Sequence, residues 1–432
     1  MGKNVNDVSA LVYDHGLFTE LAIRLARDFK RVLYYTPWEK SFPTISDSII
    51  GDGFRSIERV DEIWSILPDV DLAVFPDIMN SGLQLHLESM GIPVWGSRKG
   101  DKLELQRAKF LKTVDEAGLP VGKWRHVVGI SNLRDILNGE EDVYVKISKY
   151  RGVSETWHHQ NMKLSEPILD HLAVKLGSAK EIIPFVVCDA IPADLEVGFD
   201  GFCIDGQFPK IALQGWERKD LSYIASVQNY EDLPKQVVQV NEAMAPLLKD
   251  FRYRNFWSTE IRITDDGTPY FIDPTCRCPS PATEAQLELY DNLGEIIWEG
   301  AHGNLVDPNP VAKFAVEAMI YHNEDADGWR SMEIPDEVRQ WVKLYRVCKI
   351  NGAYHIPPGE NKMDEIGAVV GIGDTIKEAI DHLHETVEEL KDQPVAIRTE
   401  ALYDALTEIQ EAEKKGIEFT EQEVPKPETA LQ

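Results

Sequence analysis

The chain has 432 residues, 43% of them apolar, with 73 acidic against 45 basic side chains and a net charge of −28. Non-specific binding to nucleic acid rests on Lys and Arg neutralising phosphates, so this balance argues against it. The five cysteines (Cys188, Cys203, Cys276, Cys278 and Cys348) are too scattered for a disulfide framework, and no segment is long and apolar enough to span a membrane. The expectation is a soluble cytoplasmic protein with no nucleic-acid or membrane partner.

Residues 9–100 alternate short apolar runs with helical patterns. Ala10–Tyr13, Arg31–Tyr35, Leu72–Phe75 and Ile92–Trp95 read as buried strands. Thr19–Phe29, Val60–Leu67 and Ser81–Met90 read as the helices between them. Such alternation implies a parallel sheet with right-handed crossovers. The first strand is followed by Tyr13-Asp14-His15-Gly16 rather than a G-x-G-x-x-G turn, which disfavours a dinucleotide site.

Residues 101–117 read as one helix stopped by Gly118, with Pro120 just beyond. Arg107 interrupts its apolar stripe; it either snorkels at the edge of the core or reaches an anion. Asp142–Ser148 is a strand carrying Lys146. A short Arg-Gly loop follows, Lys149–Ser154, with Arg151 and Gly152. The adjacent pair His158-His159 reads as no metal site, because neighbours in a strand point apart.

Phe185–Ile191 and Glu196–Ile204 are strands, and Asp232–Phe251 and Ala282–Ile297 are helices. From Pro310 the character shifts to a separate small α+β unit. It has strands at Phe314–Tyr321, Val342–Ile350 and Ala368–Ile372, and a helix at Thr375–Leu390. Beyond residue 400 the chain is a charged helical stretch ending in a disordered tail.

Between Trp257 and Thr283 lies WSTEIRITDDGTPYFIDPTCRCPSPAT. Asp266-Gly267 signals a two-residue hairpin turn. That turn would pair Ile261 with Ile272, Ile263 with Tyr270 and Glu260 with Asp273. Opposed side chains sit about 5 Å apart at Cβ, and like charges there repel. A cation between them would convert repulsion into binding, and carboxylates suit Mg²⁺. Thr275 and Arg277 continue the same face. On the hairpin alone, two solvated acids with Arg262 or Arg277 as counter-charge are the favoured reading.

The order of these features resembles the ATP-grasp superfamily, and most closely its phosphoribosylamine–glycine ligase branch, over nearly the whole chain to about residue 395. GIPVWG, LELQRAKFLKTVDEAGLPV, CRCPSPATEAQLELYDNLGEII and EIGAVVGIGDTIKEAIDHL carry the likeness. The resemblance implies an α/β and α+β chain divided in five: 1–120 a parallel-sheet domain, 121–190 and 191–310 the small and large ATP-grasp subdomains, 311–400 a C-terminal α+β domain, and 401–432 the tail. It implies an ATP-dependent carboxylate–amine ligase acting on small molecules through an acyl phosphate. Phosphoribosylamine–glycine ligase proper, or a nucleotide-binding protein without chemistry, are the alternatives.

By the same resemblance, Arg107 and Lys146 contact the ATP phosphates, and Lys149, Arg151 and Gly152 belong to the loop that closes over them. Cys188, Asp189 and Ile191 read adenine, and Glu196 takes the ribose. Glu260, Asp273 and Thr275 hold Mg²⁺, and Arg277 stabilises the acyl phosphate, with Lys146 and Arg151 assisting. Asp273 stands where the family has Glu, and Thr275 where it has Asn, a better metal ligand. The turn at Asp14–Leu17 replaces a glycine-rich loop and carries a carboxylate. The acceptor amine is therefore expected to lack a phosphate, with Asp14 or Asp77 available to a cation.

Overall fold

The structure is a computed structural model that describes residues 3–36, 49–149, 155–193, 195–322, 329–357 and 365–419. Its first sheet is wholly parallel, with β1 (Ser9–Tyr13), β2 (Arg31–Tyr35), β3 (Glu58–Arg59), β4 (Leu72–Val74) and β5 (Val94–Trp95) in the order β3-β2-β1-β4-β5. Both faces are apolar: Ala10, Val12, Val32 and Tyr34 enter one cluster, and Leu11, Leu33, Ala73 and Phe75 another. This is why the strands read as continuous apolar runs. Helices α1 (Thr19–Leu25) and α2 (Ser81–Ser89) form where expected. Residues Val60–Leu67 do not; they are turns ending in a 3₁₀ turn at Leu67–Asp69, where Pro68 removes an N–H, yet Ile63 and Leu67 are still buried.

The helix expected over 101–117 is two, α3 (Asp101–Leu105) and α4 (Arg107–Glu116), broken at Gln106 (φ −113°, ψ 73°). At the break, the Leu105 carbonyl accepts from the Lys149 N–H at 2.8 Å. A segment some forty residues downstream, invisible to local periodicity, therefore docks on that turn, and Arg107 starts a new helix instead of sitting mid-stripe.

A four-stranded antiparallel sheet follows, from β6 (Trp124–Val128), β7 (Val143–Ile147), β8 (Thr156–His159) and β9 (Pro184–Asp189), in the order β6-β9-β7-β8. Helices α5 (Ile130–Leu137) and α6 (Met162–Leu176) cover one face through Leu133, Leu137, Leu169 and Leu172.

The largest sheet has nine strands. It begins with β10 (Leu195–Ile204), β11 (Ile211–Arg218), β12 (Ser222–Asn229), β13 (Arg254–Ile263) and β14 (Pro269–Thr275). It continues through β15 (Phe314–His322), while β16 (Arg330–Met332) belongs to a separate three-stranded sheet. Then come β17 (Val342–Leu344), β18 (Cys348–Ile350) and β19 (Ala353–Ile356), of which the last two join β16. Finally β20 (Glu365–Gly373) and β21 (Val395–Ile397) return to the large sheet, whose main path is β14-β13-β10-β11-β12-β15-β20-β17. The expected boundary near residue 310 is therefore crossed by unbroken pairing of β12 with β15. The single strand expected over Val342–Ile350 is two strands in different sheets.

Helix α7 (Lys235–Asp250) packs on one face of this sheet. The helix expected over 282–297 is α8 (Thr283–Leu289) and α9 (Leu293–Ala301). The break is held by Arg24, which donates to the carbonyls of Tyr290 at 3.0 Å and Asp291 at 3.2 Å. Helix α10 (Ile376–Glu389) opens with a capping box between Thr375 and Glu378. Among the described residues no helix is long and apolar enough to cross a membrane.

The last helix, α11 (Glu400–Lys414), forms where a charged helical stretch was expected, and it is packed against the body of the protein. It buries Leu402, Ala405, Leu406 and Ile409 with the core around β15 and β20, and Ala412 with the core around α7. Residues 420–432 lie outside the described residues. Leu402→Ala is accordingly expected to destabilise the protein by about 2–5 kcal/mol in denaturant unfolding. An unchanged midpoint would mean that this helix is a peripheral tail.

Candidate functional site

The β13–β14 hairpin pairs Glu260 with Asp273, as expected, but by a different route. The loop is Asp265-Asp266-Gly267, with Gly267 at φ +84° and the Thr264 N–H bonded to the Thr268 carbonyl at 3.1 Å. Asp266 fastens it by accepting from Thr264 Oγ1 at 2.7 Å and the Thr268 N–H at 3.0 Å. This extra loop residue shifts the register by one, so that Ile263 pairs with Pro269 and Ile261 with Phe271. The expected pairs Ile261–Ile272 and Ile263–Tyr270 do not form. A bulge at Ile272 then absorbs the shift and restores Glu260 opposite Asp273 and Ser258 opposite Thr275. The apolar face is fixed by Ile261 and Phe271, the latter edge-to-face with Phe110 at 5.0 Å.

Three elements bring charge to this pair. Arg107, on the first turn of α4, donates to Asp273 Oδ1 and to Glu155 Oε1 at 2.6 Å. Lys146, on β7 of the four-stranded sheet, donates to Asp273 Oδ2 at 2.6 Å and the Ile272 carbonyl at 2.9 Å. Burial pushes the Asp273 carboxyl up, but Arg107 and Lys146 outweigh it and hold the group below its ordinary range. Glu260 is exposed to the solvent that fills the cleft; the nearness of the cleft walls first, then the charges of Asp273, Glu196 and Glu217, push it up to about 8. Of the two opposed acids, cations favour the charge of one, and that charge in turn disfavours the charge of the other.

Arg277 lies just beyond β14. Its Nε donates to Glu104 Oε1 at 3.0 Å and stands 3.9 Å from Asp77 Oδ1, and Nη1 donates to the Cys278 carbonyl at 3.0 Å. Desolvation opposes its charge, but Glu104 and Asp77 prevail and raise its pKa further. The flanking thiols of Cys276 and Cys278 are buried and pushed well up by desolvation. Among the described residues no three His, Cys, Asp or Glu side chains gather at metal-binding distance. His158 bonds Asp142 at 2.7 Å, whereas His159 turns inward to Ser165 at 2.8 Å.

The two acids, Arg107, Lys146 and Arg277 face a cleft of about 1220 Å³ between the four-stranded and nine-stranded sheets. Arg107, Lys146, Cys188, Asp189, Ile191, Glu196, Glu260, Asp273, Thr275 and Arg277 all line it. The Cys188 thiol is pushed up to about 11 by burial. Glu196 pairs with Arg262 at 3.0 Å. Lys149 does not line the cleft; it turns at φ +57° onto the opposite side, beside Lys109 and Lys112. Arg151 and Gly152 lie outside the described residues.

Some of the lining was not foreseen. On the floor, Asp200 accepts from Ser258 Oγ at 2.6 Å and the Tyr223 hydroxyl at 2.7 Å. Gly215 sits against them: a Cβ there would lie 2.3 Å from Asp200 Oδ2 and 2.4 Å from the Tyr223 oxygen. A glycine inside a strand marks such close approach, so Gly198 and Gly215 were a usable signal. At the rim, Glu408 of α11 accepts from Trp216 Nε1 at 3.0 Å and Arg218 at 2.7 Å. No sequence signal pointed there.

The turn after β1 also differs from expectation. Asp14 is fully buried and accepts from the Tyr34 hydroxyl at 2.6 Å and the Phe18 N–H at 2.9 Å. Burial above all pushes its pKa up to about 6. It braces the loop instead of meeting a ligand, and Asp77 faces Arg277, so neither acid is placed as a free partner for a cationic amine.

No protein-family model matches this chain, and no curated protein sequence does. Solved structures do. Phosphoribosylamine–glycine ligase from Thermotoga maritima superposes with a TM-score of 0.65 at 16% identity, covering 91% of this chain and 98% of its own. L-amino acid ligase from Bacillus licheniformis gives 0.58 at 15%, covering 91% and 99%. The biotin carboxylase domain of the Hydrogenobacter thermophilus 2-oxoglutarate carboxylase, solved with MgADP, ADP and bicarbonate, gives 0.60 at 13%, covering 90% of each chain. The chain has the ATP-grasp fold. The cleft lies between the four-stranded sheet, which carries Lys146, and the nine-stranded sheet, which carries Glu260 and Asp273.

The coupled acids make a pH prediction. The Glu260 carboxyl is raised from 4.5 to about 8, so it binds a proton more tightly in the folded state. Its contribution to stability is full at low pH and is lost as pH rises from about 4.5 through about 8. Carbon-detected NMR of Glu260 is expected to titrate near 8 in the parent and clearly lower in Asp273→Asn. An ordinary carboxylate midpoint in the parent would contradict the geometry.

Proposed function

We propose that this protein is an ATP-dependent carboxylate–amine ligase. The observation that carries the reading is the convergence of Arg107, Lys146, Glu260, Asp273 and Arg277 on one cleft of an ATP-grasp fold. Arg107 and Lys146 are placed to hold phosphates from two sides. The end of β9 and the two residues after it, from Cys188 to Ile191, offer backbone groups to adenine, and Glu196 offers its carboxylate to the ribose.

The residues present fit Mg²⁺. Glu260 and Asp273 are opposed, and the proton that Glu260 retains to about 8 is what a divalent cation would replace. Mg²⁺ characteristically takes one or two carboxylates and completes its shell with phosphates and water. Thr275, next along the face, adds only a neutral oxygen. When bound, the ion supplies charge neutralisation at the transferring phosphoryl group.

The reaction balances as follows. A carboxylate oxygen attacks the γ-phosphorus of ATP, the bond to the β-phosphate oxygen breaks, and ADP leaves. The amine nitrogen then attacks the acyl carbon, the C–O bond to phosphate breaks, and phosphate and one proton depart. This chain's part is positioning and charge: Lys146 and Arg107 steady the phosphates, and Arg277, held rigid by Glu104, faces the anion that builds up at the acyl phosphate. The walls of the cleft shield that mixed anhydride from water.

A second reading, glycine with phosphoribosylamine as the substrate pair, gains support from the inward turn of Asp14. The carboxylate that would have repelled a phosphate at that loop is buried and hydrogen-bonded. ADP release should therefore be screened over acid–amine pairs that include this one. Glu260→Gln and Asp273→Asn are each expected to lower ADP release about a hundredfold or more, as loss of one preorganised electrostatic group does. Thermal stability should stay level in Glu260→Gln at neutral pH, where the parent's Glu260 is protonated, and should exceed the parent's only above about pH 8, where the parent's two acids repel. Undiminished turnover in either variant would refute the assignment.

A further inference from the structure

The floor of the cleft contains hydroxyls whose polarity is fixed. A serine or tyrosine hydroxyl has one proton to donate and lone pairs to accept with. Ser258 spends its proton on Asp200 Oδ1 at 2.6 Å, and Tyr223 spends its own on Asp200 Oδ2 at 2.7 Å. Asp200 is 7% exposed, Ser258 8% and Tyr223 2%, and all three line the cleft. What the two hydroxyls still offer is acceptor capacity only. A phosphate or carboxylate brought there would set lone pairs against lone pairs.

Their place relative to the proposed chemistry is set by strand register. Ser258 is two residues from Glu260 on the same face of β13, about 7 Å along the strand, and directly opposite Thr275. Arg277 follows two residues after Thr275. Gly198 and Gly215 keep the floor between β10 and β11 free of side chains, and a Cβ at Gly215 would displace the Asp200–Tyr223 bond. The hydroxyls therefore border the place where an acyl phosphate near Arg277 would be attacked.

We propose that Ser258 and Tyr223 form the subsite for the amine substrate's nitrogen, accepting its N–H groups through oxygens that Asp200 holds in acceptor orientation. This rests on the ligase reading for its chemistry but not for its geometry. Neutral hydroxyls as acceptors suit an amine better than a second divalent ion, which favours carboxylates, and each Asp200 oxygen already accepts one hydrogen bond. Asp200 is a positioning residue: it acts through the two hydroxyls.

The test has two arms on the full-length protein. In the first, saturation-transfer NMR follows methylammonium chloride without nucleotide. The parent is expected to give a signal that Tyr223→Phe and Ser258→Ala each weaken, and the double variant loses about tenfold or more in affinity because the N–H groups go unpaired. Ser258→Thr, which keeps the hydroxyl, should restore binding. In the second arm, ADP release is titrated with methylammonium at saturating ATP and the best acid from the screen. The KM for methylammonium should rise while the KM for ATP stays unchanged. No signal in the parent, or unchanged methylammonium affinity in folded variants, overturns the subsite. So does a variant that weakens only Mg²⁺. Absence of ADP release with every acid refutes the ligase reading instead, and the NMR arm still decides the subsite.

Discussion

The repulsion between Glu260 and Asp273 is the constraint around which the neighbouring structure is arranged. Two acids facing across a strand pair destabilise a sheet unless something compensates. Here the compensation comes from elsewhere in the chain. Lys146 crosses from the small sheet, Arg107 comes from the first turn of α4, and Glu260 retains a proton to about 8. The same contacts tie the four-stranded and nine-stranded sheets together, because Asp273 is on one and Lys146 on the other. Phosphates entering between them would meet cations already aimed at that point, which is the preorganisation that transfer of a charged group requires.

A second electrostatic arrangement lies one step along the same strands. Asp200 is buried without any cation beside it, and hydroxyl donors from Ser258 and Tyr223 take that role. Gly215 is bare because its Cβ would occupy the space that the hydrogen bonds need. The floor of the cleft thus divides into an ionic end near Asp273 and a neutral, acceptor-lined stretch near Tyr223. A reaction that joins a phosphorylated acid to an amine needs both kinds of surface side by side.

Much of this was legible from residue identity, and much of the rest depended on distant contacts. The opposed acids were placed correctly although the turn was not: a longer loop and a bulge at Ile272 cancel, and only packing of Ile261 and Phe271 reveals either. The breaks at Gln106 and near Asp291 are made by the Lys149 amide and the Arg24 side chain, which no local pattern contains. Asp14 was read as a charge facing a ligand because sequence carries no direction for a side chain; Tyr34 and the Phe18 N–H turn it inward. The polar face of α11 looked like a solvated surface, yet Glu408 on it secures Trp216 and Arg218 at the cleft rim.

The central claim is that the opposed acids exist to hold a cation against nucleotide phosphates. Calorimetric titration of a non-hydrolysable ATP analogue, with and without Mg²⁺, addresses it without any knowledge of the other substrates. Mg²⁺ is expected to strengthen binding to the parent by about tenfold or more, a gain of about 1.4 kcal/mol. The gain should disappear in Glu260→Gln while binding of the analogue alone persists. Equal affinity with and without Mg²⁺, or a full Mg²⁺ effect in Glu260→Gln, would contradict that claim.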